Sequence, residues 1–123
     1  MITITVKRED GMYRSFRSEG HSGYADEGSD IICAAVSALS VNALNSIESL
    51  TGDTVEDEAR EGYPYAEFPE GLSHDGQLLM DSLMLGLTQI AESYEEPFVK
   101  ISIDDEYTGG VNHAEHESSA VRS

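Results

Sequence analysis

The sequence predicts an α+β domain in which two helices pack with one small β-sheet. Three features of the 123-residue chain carry this expectation. The N-terminal stretch ITITVKREDGMYRSFRSE is rich in β-branched residues and has an Asp-Gly pair at its middle, the pattern of a hairpin. The stretch IICAAVSALSVNALNSIESL places apolar residues at helical spacing. A second leucine-rich helical stretch precedes PFVKISI, which alternates as a strand does. The expected order is a β-hairpin, a long helix, an acidic middle, a second helix and a final strand, a layered arrangement of the α/β-sandwich kind. The length suits one domain, with enough core to fold without a metal or disulfide.

Ile2 to Glu19 reads as the hairpin, turning at Asp10-Gly11, with Tyr13, Ser15 and Arg17 on one face and Met12, Arg14 and Phe16 on the other. Gly20 to Ser29 reads as a loop, because glycines at 20, 23 and 28 make it permissive in φ. Asp30 stands where a helix cap belongs, its carboxylate free to accept first-turn amides. From Ile31 to Leu50 the apolar side is Ile32, Val36, Leu39, Ala43, Leu44, Ile47 and Leu50, and Gly52 is a stop signal. Residues 53–70 are the most acidic. They read as a second hairpin with Gly62 near its turn, or as an irregular segment, since Pro64 and Pro69 restrict pairing to edges. Ser73 caps the second helix, whose apolar side is Leu78, Leu79, Leu83, Leu85, Leu87 and Ile90. Pro97 opens the last strand, Phe98 to Ile103. The domain is expected to span residues 1–104, with 105–123 a polar, disordered tail.

With 24 acidic and 7 basic residues the formal net charge is −17. Such a field repels nucleic-acid phosphates and anionic membranes, so neither is expected as a partner. It draws in basic partners, although acidity also serves solubility alone. The tyrosines have no interleaved basic residues for stacking on bases. One cysteine cannot form an internal disulfide, and MITITVKRED lacks the regions of a signal peptide. The apolar run is broken by Ser37, Ser40, Asn42, Asn45, Ser46 and Glu48, so it is not expected to span a membrane. A cytoplasmic location is the expectation.

The candidate chemistry centres on Cys33. A lone cysteine flanked by Ile31, Ile32, Ala34 and Ala35 is most often a small core hydrophobe. Its position offers a second reading. Behind an Asp30 cap, Cys33 falls in the first helical turn, where the dipole and unpaired amides favour a thiolate. The charge of Asp30 opposes this, so activation needs a partner. His21, twelve residues upstream at the end of the hairpin, can take the thiol proton and later protonate a leaving amine. Geometry, not spacing, defines such a pair. His113 and His116 in NHAEHE have a spacing that metal ligands use, but their polar context reads as tail, and no metal or other cofactor is expected. His74 beside Asp75 is assigned no chemistry. Tyr63, Tyr65 and Phe68 read as a half-buried strand face or, second to that, as a peptide groove.

Gly20-His21-Ser22, Asp30-Ile31-Ile32-Cys33-Ala34 and Ser37 together resemble the signature of the ribosomal-processing cysteine protease family, Prp. That signature is Gly-His-Ala, a short glycine-containing loop, Asp-Ile-Val-Cys-Ala and a serine four residues past the cysteine. The resemblance runs over residues 1–104. Ser22 and Ile32 depart from it by small changes, and the tail has no counterpart. It implies a homodimeric endopeptidase that removes the N-terminal extension of large ribosomal subunit protein 27. It further implies Cys33 as nucleophile and His21 as general base. Asp30 and Ser37 become supporting residues, Asp30 capping the helix or orienting His21, and Ser37 packing or hydrogen-bonding below the thiol. Gly20, Ser22, Gly23 and Gly28 would belong to a substrate-gating loop that aligns the dyad when peptide binds. Two other readings compete. One is a non-catalytic dimeric binding protein for basic ribosomal clients. The other is a thiol redox sensor, for which the chain holds no resolving cysteine.

Overall fold

The computed structural model describes residues 1–20, 27–60, 63–95 and 97–107, with the backbone alone for 27–30, 58–60 and 63. At Asp10-Gly11 both residues take positive φ, 53° and 82°, as a two-residue hairpin turn requires. The turn joins β1 (Ile2–Glu9) to β2 (Met12–Glu19). There follow α1 (Glu27–Thr51), β3 (Glu56–Arg60), β4 (Tyr63–Glu67), α2 (His74–Glu92) and β5 (Val99–Glu106). The order is the expected one, and the acidic middle resolves into a hairpin, β3 pairing antiparallel with β4. Among the described residues the strands form one sheet in the order β3-β4-β2-β1-β5, with β5 parallel to β1 and the other pairs antiparallel.

Ile2, Ile4 and Val6 alternate onto one face of β1, which the helices cover. The alternation expected along β2 does not hold. The register shifts between Lys7, opposite Ser15, and Arg8, opposite Tyr13, so Arg14 is the extra residue of a bulge. The bulge swings Tyr13 onto the covered face with Phe16 and Ser18, all three buried. There the Tyr13 hydroxyl donates to Asp81 at 2.6 Å and its backbone N–H donates to Gln77 at 3.0 Å. Burial first, and then the Asp81 contact, push the phenol above its ordinary pKa. Arg8 stacks 5.9 Å from the Tyr13 ring centroid and donates twice to Asp105, at 2.6 and 2.8 Å. β5 therefore continues past the expected Phe98–Ile103 span to Glu106.

On α1 the buried positions are Ile32, Val36, Ser40, Ala43, Leu44 and Ile47. Leu39 and Leu50, expected on the apolar side, are exposed, and the small Ser40 lies in the buried stripe between Val36 and Ala43. On α2 the core side is Gly76, Met80, Leu83, Met84, Leu87 and Thr88. Leu78, expected inside, is 60% exposed, and Leu85 one heptad later is also out. Burial follows the helical period from Met80, and polar or small residues on that line take inward places. Ile31–Thr51 is long and apolar enough to cross a membrane by composition, yet its Ile32, Val36, Leu44 and Ile47 pack in the core.

The helices run antiparallel. Midway, Leu39 Cδ1 lies 3.2 Å from where a Cβ on Gly86 would stand. At one end a hydrogen-bonded clip joins them. Gly52, at φ 79°, ends α1 as a C-terminal glycine does. The backbone N–H of Asp53 donates to Thr51 Oγ1 at 3.0 Å. Ser73 donates to Asp53 Oδ2 from its backbone N–H (3.0 Å) and its hydroxyl (2.9 Å), and that hydroxyl accepts from Gly76 N–H at 3.1 Å. Ser73 is thus the expected cap of α2, itself held by Asp53.

Desolvation raises the Asp53 pKa, but the donors from Ser73 and Thr51 outweigh it and hold the carboxyl below its ordinary 3.8. A depressed carboxyl stabilises the fold fully above its unfolded pKa and loses that contribution as pH falls through the folded value. Asp53→Ala is therefore expected to lower the thermal midpoint at pH 7. The difference from wild type should shrink below about pH 4, where the unfolded carboxyl protonates. Paired melts from pH 7 to pH 2 check this.

Candidate active site

The strand that leads to His21 ends against the start of β1. Gly20 has φ 86°, and a Cβ there would come 2.5 Å from the Met1 carbonyl oxygen. Only glycine gives both the left-handed φ and that close backbone approach. His21, Ser22 and Gly23 lie outside the described residues, as do His113 and His116. α1 resumes at Glu27, so Gly28, expected in the gating loop, is helical. Asp30 is likewise inside the helix and not its cap. Acidic Glu27 and Asp30 suit a first turn, where carboxylates meet the positive end of the dipole.

Cys33 is consequently the seventh residue of α1, in its second turn. The expected placement in the first turn does not hold. The dipole fades beyond that turn, so activation falls more heavily on a partner base. Cys33 is half-buried and packs against the hydrophobic core from its margin. That is an open position for a thiol, unlike the fully buried Ile32 and Val36. Ser37, one turn on, is exposed.

The opposite helix ends at the same level. Ser93 closes α2, its N–H donating to Ile90 O at 3.2 Å and its hydroxyl to Gln89 O at 2.5 Å. The chain then reaches Phe98, whose carbonyl accepts from Ile2 N–H at 2.8 Å. Across this corner the rings of Tyr94 and Phe98 meet edge to face, with centroids 5.7 Å apart and planes at 81°. The end of β2, the starts of β1 and β5, the first turns of α1 and the last of α2 thus converge on one end of the fold. Sequence reading missed the Gly20 approach to Met1 and this aromatic pair. The four-residue spacing of Tyr94 and Phe98 around Pro97 was the available signal.

Of the residues considered for a groove, Tyr63, Tyr65 and Phe68, the Tyr63 side chain lies outside the described residues and the other two do not share a face. Phe68 is fully buried, while Tyr65 is half-buried on the uncovered face and donates its hydroxyl to Glu67. Among the described residues, no three His, Cys, Asp or Glu side chains group as metal ligands would.

Comparison with known proteins gives consistent matches. The family model described as cysteine protease Prp matches residues 1–100. The ribosomal processing cysteine protease Prp of Bacillus subtilis is 35% identical over 106 residues, covering 78% of this chain and 92% of that protein. A crystal structure of a Streptococcus mutans protein aligns with a TM-score of 0.72 at 32% identity, covering 88% of this chain and 96% of the other. The essential ribosomal processing protease Prp of Staphylococcus aureus, solved with a covalently linked product peptide, aligns with a TM-score of 0.70 at 25% identity, covering 88% and 100%.

Proposed function

The chain belongs to the Prp family of ribosomal-processing cysteine proteases, and from that membership we propose that it removes the N-terminal extension of large ribosomal subunit protein 27, with a Cys33–His21 dyad as its catalytic machinery. The observation that carries this reading is the half-buried Cys33 on α1, at the end of the fold where Gly20 delivers the chain to His21.

In this mechanism the His21 imidazole takes the proton of Cys33 Sγ. The thiolate attacks the scissile carbonyl, and the tetrahedral adduct collapses to a thioester with the extension. His21 gives its proton to the departing amine, which becomes the new N-terminus of the ribosomal protein. Water, deprotonated by His21, then hydrolyses the thioester and frees the extension. Gly20, Ser22 and Gly23 belong to the loop that closes on the peptide; Gly28, being helical, is left out of it. Asp30, inside α1 and not its cap, keeps the role of orienting His21, and Ser37 that of a hydrogen-bonding group one turn below the thiol. The working form is a homodimer in the cytoplasm, and its protease domain extends past the expected residue 104 to the end of β5 at Glu106. Exposed Ile31 and Val41 on α1 leave apolar surface for a second copy.

The net charge of −17 favours encounter with a basic substrate. On the extended protein 27, kcat/KM is expected to fall about tenfold between low and high salt, as screened steering does. A short neutral peptide with the same cleavage sequence should respond far less. Sequencing the N-terminus of the product tests the reading itself. One new N-terminus, at the junction of extension and mature protein, supports it; cuts scattered along the chain oppose it.

A further inference from the structure

The antiparallel helices fix what lies level with the nucleophile. Leu39 sits beside Gly86. Six residues back along α1 is Cys33, and six forward along α2 is Glu92, a rise of about 9 Å on each helix. Tyr94 follows two residues later, after Ser93 has closed α2. The aromatic pair of Tyr94 and Phe98 therefore stands at the height of Cys33 along the helix pair. Phe98 is half-buried and packs, like Cys33, Ile90 and Ala91, against the margin of the core. Tyr94 is 45% exposed, so one face of the pair is anchored and the other offers a ring to solvent. The carboxylates beside it, Glu92 and Glu95, are exposed.

We propose that Tyr94, backed by Phe98, is a specificity-determining residue: its ring receives an apolar side chain that the substrate peptide presents next to the scissile bond. This rests on the protease reading above. The occupant follows from the chemistry of the patch. An aromatic ring held rigidly by an edge-to-face partner gives contact area at small entropic cost. The flanking carboxylates suit a peptide in which the apolar residue adjoins lysine or arginine, as expected of a basic ribosomal protein. An acidic peptide would be repelled from the same place.

The test pairs enzyme and substrate changes. Wild type, Tyr94→Ala and Tyr94→Phe are assayed on the extended protein 27 and on versions with each apolar residue flanking the cut replaced by alanine. Tyr94→Ala is expected to lower kcat/KM on the natural sequence about tenfold, the scale of one lost apolar contact, chiefly through KM. Tyr94→Phe should keep wild-type behaviour. On one alanine-replaced substrate, wild type and Tyr94→Ala should become equal. Alkylation of Cys33 by iodoacetamide at the wild-type rate shows that the Tyr94→Ala site is intact. Binding of each substrate is measured in parallel in a Cys33→Ala background. If wild type cleaves and Tyr94→Ala loses the same factor on every substrate, or none, the Tyr94 assignment is overturned. If wild type binds but never cleaves, the protease reading fails instead, and Tyr94 is then judged by whether Tyr94→Ala weakens binding of the natural sequence alone.

Discussion

Cys33→Ala is expected to reduce cleavage of the extended ribosomal protein by about 10⁴-fold or more, the scale seen when a nucleophile is removed. His21→Ala should fall comparably, because a thiol without its base attacks slowly. The informative variant is the double one. Two residues that act as a unit give grossly non-additive losses, so Cys33→Ala with His21→Ala should be no slower than either alone. The fold should survive. Cys33 sits at the core margin, and deleting a half-buried sulfur removes little apolar area, worth about 1 kcal/mol or less. Urea unfolding of all three variants checks that point, and progress curves at high enzyme concentration measure the residual rates. Losses that multiply would mean that the two residues do not share a step. Retained cleavage in Cys33→Ala would return the cysteine to packing, whereas substrate that stays bound but intact in wild type and variants alike would favour the binding-protein reading.

Gly20→Ala is expected to damage activity more than stability. An L-residue at φ 86° costs about 1–2 kcal/mol, and the new Cβ would stand 2.5 Å from the Met1 carbonyl oxygen. Backbone must shift to relieve that contact, either at the start of β1 or at the end of β2. Either shift displaces the chain that immediately precedes His21. Gly11→Ala is the matched control. Its φ is 82°, but nothing lies within 4 Å of its Cβ position, and it turns the hairpin at the far end of β1. Both variants should lose stability in urea. Only Gly20→Ala should lose activity by about 100-fold or more at temperatures where it remains folded, since a misplacement near 1 Å is enough. Equal activity in the two variants would show that the Met1–Gly20 approach does not position the histidine.

Much of this architecture is legible locally. Asp10-Gly11 specifies its turn, Ser73 its cap and Gly52 its stop, because each answers a requirement of the adjacent backbone. What is not legible depends on distant partners. The bulge at Arg14 exists in the pairing of β1 with β2, and it reverses which residues of β2 face inward. Ser40 lies inside and Leu39 outside because the second helix and the sheet determine the buried stripe. The start of α1 at Glu27 moved Asp30 and Gly28 into the helix, since several residues before Ile31 tolerate a first turn. At the site, Cys33 and His21 stand out through a local motif. Tyr94 and Phe98 come level with Cys33 only because the helices pack antiparallel.

On the proposed mechanism, Cys33 forms a covalent bond to the extension it removes. Acid quenching during turnover, followed by intact-mass spectrometry of the enzyme, tests it directly. The expected result is a thioester adduct on Cys33, heavier than the free enzyme by the mass of the extension less one water, absent from Cys33→Ala and decaying as substrate is exhausted. Continued cleavage by Cys33→Ala, with no adduct on the wild-type enzyme at any time, would contradict it.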